Sequence, residues 1–132
     1  MAGEGLITVT SKFPIAETVA RLESAIKQSG LQIFAHVDHG ANAQEVQMPL
    51  RPTYLLVFGH PKGGTPLMQE NQLAGIDLPF KALVWEDEKG ATWISYNDPE
   101  WLAERHHLGA SSQATVRAIQ AGMARMMASF VA

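Results

Sequence analysis

The sequence predicts an α+β fold: an antiparallel or mixed sheet of about five strands, with helices packed mainly on one face. Three observations carry this expectation. Five short segments rich in β-branched and aromatic residues are separated by turn signals. Two longer segments place apolar residues at helical spacing. The elements run strand, helix, strand, short helix, strand, short helix, hairpin, helix, helix, which is not the strict alternation of a doubly wound parallel sheet. If helices cover only one face, the other needs polar residues or a partner.

Taken in order, Leu6-Ile7-Thr8-Val9-Thr10 reads as a strand, broken at Phe13-Pro14. Pro14 suits a first helical turn, where its missing N–H is not needed. From Ile15, apolar residues recur at Val19, Leu22 and Ile26, one face of an amphipathic helix stopped by Gly30. Leu31 to about Asp38 is a second strand, ended by Gly40, and Ala41 to Gln47 is a short helix or a loop. Thr53 to Gly59 is a near-continuous apolar run, as in a strand buried on both faces. Thr65 followed by Pro66 reads as a cap and first position of a short helix through Leu67, Met68 and Gln72. Phe80 to Trp85 and Ala91 to Tyr96 are strands joined by a polar loop of hairpin length. Asp98-Pro99 opens another helix, stopped by Gly109, and Ser111 or Ser112 caps a last one with its stripe at Val116, Ile119, Met123, Met126, Met127 and Phe130.

The 132 residues suit a single domain, with no internal repeat or linker: a core over residues 5–108 and an amphipathic helix over 111–131. Hydrophobic residues at 46% and charged residues at 17% suit a packed interior and exclude wholesale disorder. A net charge of -3 with scattered basic residues argues against nucleic-acid binding. The absence of cysteine excludes disulfides, a thiolate nucleophile and a Cys-ligated metal. No signal-peptide pattern or membrane-spanning apolar run is present, so the expectation is a cytoplasmic location without membrane contact.

Three groups of residues carry candidate chemistry. In Gly59-His60-Pro61-Lys62-Gly63-Gly64-Thr65, consecutive backbone N–H groups leading into a helix form an anion-binding concavity, with Lys62 adding a charge. It is not a Walker loop, because Thr65 stands where that loop has its lysine. The plainer reading is a sharp turn whose glycines adopt positive φ. His36 and Asp38 share one face of a strand, where a carboxylate can orient a general base, while His39 points away. The plainer reading there is a polar strand end. No metal site is expected. Lys81, in an otherwise apolar strand, and Tyr96, on its hairpin partner, are candidates for acid–base work, against a lysine that snorkels or pairs with Glu86 or Asp98. Trp85, Trp93 and Trp101 read as packing residues rather than a ligand cage. His106-His107, at a helix C-terminus, is assigned no function.

The stretch Phe58-Gly59-His60-Pro61-Lys62-Gly63-Gly64-Thr65-Pro66-Leu67-Met68 resembles the signature of the domain of unknown function 302 family, with His60 where that family usually has Asn. His36-Val37-Asp38-His39, Leu78-Pro79-Phe80-Lys81 and Tyr96-Asn97-Asp98-Pro99 resemble three more of its motifs, and the likeness spans roughly Gly5 to Leu108. The resemblance implies a compact α+β domain that forms a homodimer. It implies no activity, substrate or cofactor, and no cofactor is expected.

Three functions follow as expectations. The first is binding of a small anion or phosphorylated metabolite at Gly59–Thr65, with His60, Lys62, Gly63, Gly64 and Thr65 and, from neighbouring strands, His36 or Lys81. The second is a non-enzymatic homodimeric interaction module. The third is an acid–base enzyme using His36 with Asp38, or Lys81 with Tyr96. It requires those groups to meet in one pocket.

Overall fold

The computed structural model describes residues 4–132. Its five strands are β1 (Leu6–Ser11), β2 (Gln32–Asp38), β3 (Thr53–Gly59), β4 (Phe80–Glu86) and β5 (Thr92–Asn97). They form one antiparallel sheet in the order β1-β5-β4-β3-β2. The helices are α1 (Ile15–Gln28), α2 (His39–Glu45), α3 (Pro61–Glu70), α4 (Pro99–Arg105) and α5 (Ala110–Ala128), with a 3-10 turn over Gln72–Asp77.

Cross-strand register divides the sheet into two unequal faces. Leu56 and Phe58 on β3 lie opposite Ala82 and Phe80 on β4, and Ala82 and Val84 lie opposite Tyr96 and Ile94 on β5. These residues alternate along their strands and join one core with Val19, Leu22 and Ile26 of α1, Leu102 of α4 and Met123 and Met127 of α5. The methionine stripe of α5 is therefore interior to the domain. The other face carries Leu55 and Val57 of β3, Leu83 and Trp85 of β4 and Trp93 of β5, all half-buried and none in that core. Trp85 and Trp93 stack there at 6.1 Å, and the Trp85 indole N–H donates to Ser95. The run over Thr53–Gly59 thus has one face in the core and one outside it.

Helix boundaries are set by side chains, several of them remote. Asp98 accepts from the Glu100 N–H at the start of α4, and Asp38 from the Ala41 N–H at the start of α2. The short helix or loop after β2 is a helix that begins at His39, and Gly40 lies inside it. The last helix departs from expectation. Its N-cap is Gly109, not a serine, and the Glu70 carboxylate from the end of α3 accepts the Gly109 N–H at 2.6 Å. Ser112 Oγ is buried and makes no hydrogen bond within ordinary distance and angle, so its effect on the Glu70 carboxyl is that of a nearby hydroxyl rather than a formed bond. The hydroxyl of Ser112, the N–H of Gly109 and the hydroxyl of Ser111 hold the Glu70 carboxyl below its ordinary range.

Asp77, at the end of the 3-10 turn, binds Nε2 of buried His106 at 2.6 Å and Arg105 Nη1 at 2.9 Å. Asn71, which caps the same turn, donates from Nδ2 to the His106 carbonyl. This clasp fixes the segment leading to the cis Leu78–Pro79 bond and β4 against the end of α4. Asp87 similarly organises the β4–β5 loop. It accepts from the Trp93 indole and the Ala91 and Lys89 N–H groups, so its carboxyl also lies below the ordinary range.

Removing the clasp leaves a buried histidine without its partner. Asp77→Ala is expected to destabilise the domain by about 2 kcal/mol, read as a lower urea midpoint, and an unchanged midpoint would contradict the clasp. A second expectation concerns acid. Glu70 and Asp87 hold protons less tightly folded than unfolded, so their stabilisation is complete above the ordinary carboxylate range, beyond about pH 5. It is lost as pH falls through the lowered values. Urea midpoints from pH 7 to 2.5 should decline on the acid side, and Glu70→Gln should lower the neutral plateau and flatten that decline. An identical acid profile in the variant would remove Glu70 from this role.

Candidate functional site

The Gly59–Thr65 stretch is not a loop. β3 runs to Gly59, His60 is extended, and α3 begins at Pro61. His60 is the N-cap, its Nδ1 accepting the Lys62 N–H at 3.0 Å. Its carbonyl accepts the Gly63 N–H at 2.9 Å and the Gly64 N–H at 3.1 Å. Pro61 takes the first helical position expected for Pro66, while Thr65 and Pro66 lie inside the helix. Gly63 and Gly64 are helical, and among the described residues the glycines with positive φ are Gly5, Gly30 and Gly90. The first-turn donors are thus engaged within the helix itself, so the open row of N–H groups expected to cradle an anion is absent here.

What this corner forms instead is a cavity of about 830 Å³. Its floor is the end of the sheet, at Phe58, Gly59 and Phe80. One wall is the first turns of α3, through His60, Pro61, Gly63, Gly64 and Thr65, with Met68 beyond. The facing wall is α5, through Ile119, Met123 and Met126. The end of α1 and the start of β2 close a third side at Ala25, Leu31 and Phe34. A β-carbon on Gly63 would stand 3.8 Å from Ile119 Cδ1, and one on Gly64 would stand 3.8 Å from Leu78 Cδ1 and 3.9 Å from Met68 Cε. These are ordinary contact distances. Backbone conformation does not demand glycine at either position, but the bare backbone keeps the wall recessed.

The remaining sequence candidates scatter. Lys62 is exposed and is not part of the cavity lining. His36 does not pair with Asp38: its Nδ1 lies 3.5 Å from Glu23 on α1, its ring meets Tyr54 edge-on, and Asp38 is committed to capping α2. Lys81 lies on the open sheet face. Tyr96 pairs with Ala82 and is 4% exposed in the core. Burial first, and the charge of Asp98 second, push its phenol above the ordinary range, away from base chemistry at neutral pH. Lys81 and Tyr96 cannot meet in one pocket, and neither Glu86 nor Asp98 forms an ion pair with Lys81 among the described residues. No group of three His, Cys, Asp or Glu residues that could hold a metal occurs among the described residues.

Of the expected site residues, His60, Gly63, Gly64 and Thr65 come together at the cavity, while Lys62, His36, Asp38, Lys81 and Tyr96 do not. Sequence reasoning missed Phe34, Ile119, Met126 and Arg125. The α5 residues carried a legible signal in their helical spacing. Nothing local tied them to β3 and α3.

Comparison with known proteins places this geometry in a family. A segment of 118 residues is 48% identical to the "Fluoride-specific ion channel FluC 1" of Brucella suis, covering 89% of this chain and 46% of that one. The "Fluoride-specific ion channel FluC 2" of Brucella melitensis matches at 48% identity over 118 residues, 44% of its length. The chain thus spans less than half the length of the curated relatives it matches. The crystal structure of an uncharacterized conserved DUF302 protein from Bacillus stearothermophilus superposes with a TM-score of 0.86 at 24% identity, covering 97% of this chain and 99% of that one, a likeness of fold. Residues 7–129 match the sequence profile of the family described as Domain of unknown function DUF302, and the chain belongs to that family.

Proposed function

We propose that this domain binds a small organic molecule in the cavity between α3, α5 and the ends of β3 and β4. The observation that carries the reading is the cavity itself. Its volume of about 830 Å³ falls within the range of small-molecule sites, roughly 300–1,000 Å³, and its walls are mostly apolar with a few polar groups. His60, Gly63, Gly64 and Thr65, the residues that stood out in the sequence, sit in one wall. The lining favours a molecule with an apolar body over a free phosphate or a phosphorylated metabolite, because Lys62 lies outside it and the amides of the first turn are engaged. The separation of Lys81 from Tyr96, and of His36 from Asp38, counts against an acid–base enzyme.

The relatives named as fluoride channels bear on this reading through their length. Conduction across a bilayer needs spanning helices or a closed barrel. No helix among the described residues is long and apolar enough to cross a membrane, and this sheet is open. We read the segment shared with those relatives as a ligand-binding module accompanying a channel in one polypeptide, and in this chain we retain the cytoplasmic location expected from its sequence.

A second reading rests on the uncovered sheet face. Leu55, Val57, Leu83, Trp85 and Trp93 form an apolar surface interrupted by Lys81 and Ser95, the kind of face that a second copy covers in a homodimer. Sedimentation velocity is expected to show a dimer that Leu83→Lys converts to a folded monomer. A wild-type chain that stays monomeric at high concentration would end this reading.

For the cavity, thermal unfolding against a panel of apolar and amphipathic compounds, with inorganic phosphate alongside, is the direct test. A compound present at one hundred times its Kd should stabilise by about 2.7 kcal/mol. Gly64→Leu, which projects into the space between Leu78 and Met68, should abolish that shift. Gly64→Ala should raise intrinsic stability by about 0.5–1 kcal/mol, as alanine does in a helix interior, while weakening binding. If no compound shifts the transition, or if the shift survives Gly64→Leu, the cavity is not the binding site.

A further inference from the structure

The charge of the cavity lining differs in sign from that of the chain. The protein has 13 acidic and 10 basic side chains, yet no Asp or Glu lines the cavity. Its ionisable residues are Arg125 and His60 alone. Arg125 is exposed on α5 one turn beyond Gly122, and its Nη2 lies 3.9 Å from where a Gly122 β-carbon would stand. The guanidinium therefore folds back along the helix over a residue that itself lines the cavity. No carboxylate pairs with it among the described residues.

His60 adds a second donor. Its Nδ1 accepts the Lys62 N–H, so a neutral ring carries its proton on Nε2, and the cap fixes the ring's orientation. The serines offer no competing donors. Ser29 donates to the Ala25 carbonyl and Ser129 to the Met126 carbonyl. Gln28 and Thr65 are the remaining polar side chains of the lining, and the rest of the wall is apolar and adaptable. Met68, Met123 and Met126 line it with flexible side chains, and Phe34, 51% exposed on edge strand β2, stands at its mouth without full cover.

Resting on the cavity as the binding site, we infer that its occupant is an amphipathic organic acid. An apolar acyl or aromatic body lies against Phe34, Ile119 and the methionines, and a single carboxylate meets Arg125, with His60 as a second donor. A guanidinium matches a carboxylate with paired hydrogen bonds and is more weakly hydrated than an ammonium, so it tolerates the rim of an apolar cavity. An amine head would meet like charge, and an inorganic anion would leave the apolar wall wet.

The test uses octanoate, octanol, octylamine and inorganic phosphate as probes, with affinities from isothermal titration calorimetry on the full chain and on Arg125→Gln. Arg125 is exposed and unpaired, so the variant keeps the fold. Octanoate should bind about tenfold or more tightly than octanol, octylamine should bind most weakly, and phosphate should not bind. Arg125→Gln should bring octanoate to the level of octanol and leave octanol unchanged, and added salt should weaken octanoate binding only in the unsubstituted chain. Equal affinities for octanoate and octanol, or no effect of Arg125→Gln, would overturn the acid while leaving the cavity as a site for neutral apolar molecules. Phosphate binding as tightly as octanoate would overturn it in favour of an anion site. Binding of none of the four would overturn the cavity reading and this inference with it.

Discussion

All of the core-forming helices lie on one face of a five-stranded sheet, and most features of this domain follow from that constraint. A single helical layer must cover Leu56, Phe58, Phe80, Ala82, Val84, Ile94 and Tyr96. α1 packs on β2, β3 and β4, whereas α5 packs on α3 and α4. Between these two groups, at the end where β3 leads into α3, the layer does not close, and the cavity is the gap. On the other face the same constraint leaves a sheet surface outside the core, where Trp85 and Trp93 stack on each other.

Keeping such a gap open needs rigid surroundings, because an unsupported apolar space collapses as side chains relax into it. The supports are polar and lie outside the cavity. The Asp77–His106–Arg105 cluster fixes the segment that delivers Leu78. The Glu70 carboxylate ties the end of α3 to the start of α5 by a charge-assisted bond at 2.6 Å, adding to the direct packing of these two helices. The Lys12 N–H donates to the Phe130 carbonyl, and Phe13 meets Phe130 edge-on, anchoring the far end of α5 beside the start of α1. Each support joins residues far apart in sequence.

That distance explains what could be read from the sequence. Strands and the α1 stripe were legible because a period of two or of 3.6 residues is written locally. The one-sided helical layer followed from element order. The start of α3 was misplaced because two prolines, Pro61 and Pro66, suit a first helical position, and only the His60 ring decides between them. The capping of α5 was illegible, since Glu70 lies 39 residues from Gly109. The pairing of His36 with Asp38 was a sound inference from strand alternation. It failed because Glu23 on α1 reaches His36 while Asp38 is used as a cap. For Lys81 and Tyr96, each strand's alternation was readable, but the faces can be compared only once register aligns Ala82 with Tyr96.

The glycines carry the last step. In the sequence they read as a turn or a phosphate cradle, and both readings assume that glycine is there for its backbone. Gly63 and Gly64 have helical backbones and room for a β-carbon, so neither reading accounts for them. In a helix interior, each costs about 0.5–1 kcal/mol relative to alanine. A helix that also tolerates Pro66 in its interior already forgoes a hydrogen bond. α3 is thus weak by composition in the turns that line the cavity and is held by its ends, through His60 at one and Glu70 at the other. Local weakness compensated at the two ends of the helix, by its own cap and by a carboxylate bond to α5, accords with the ligand site proposed for this wall.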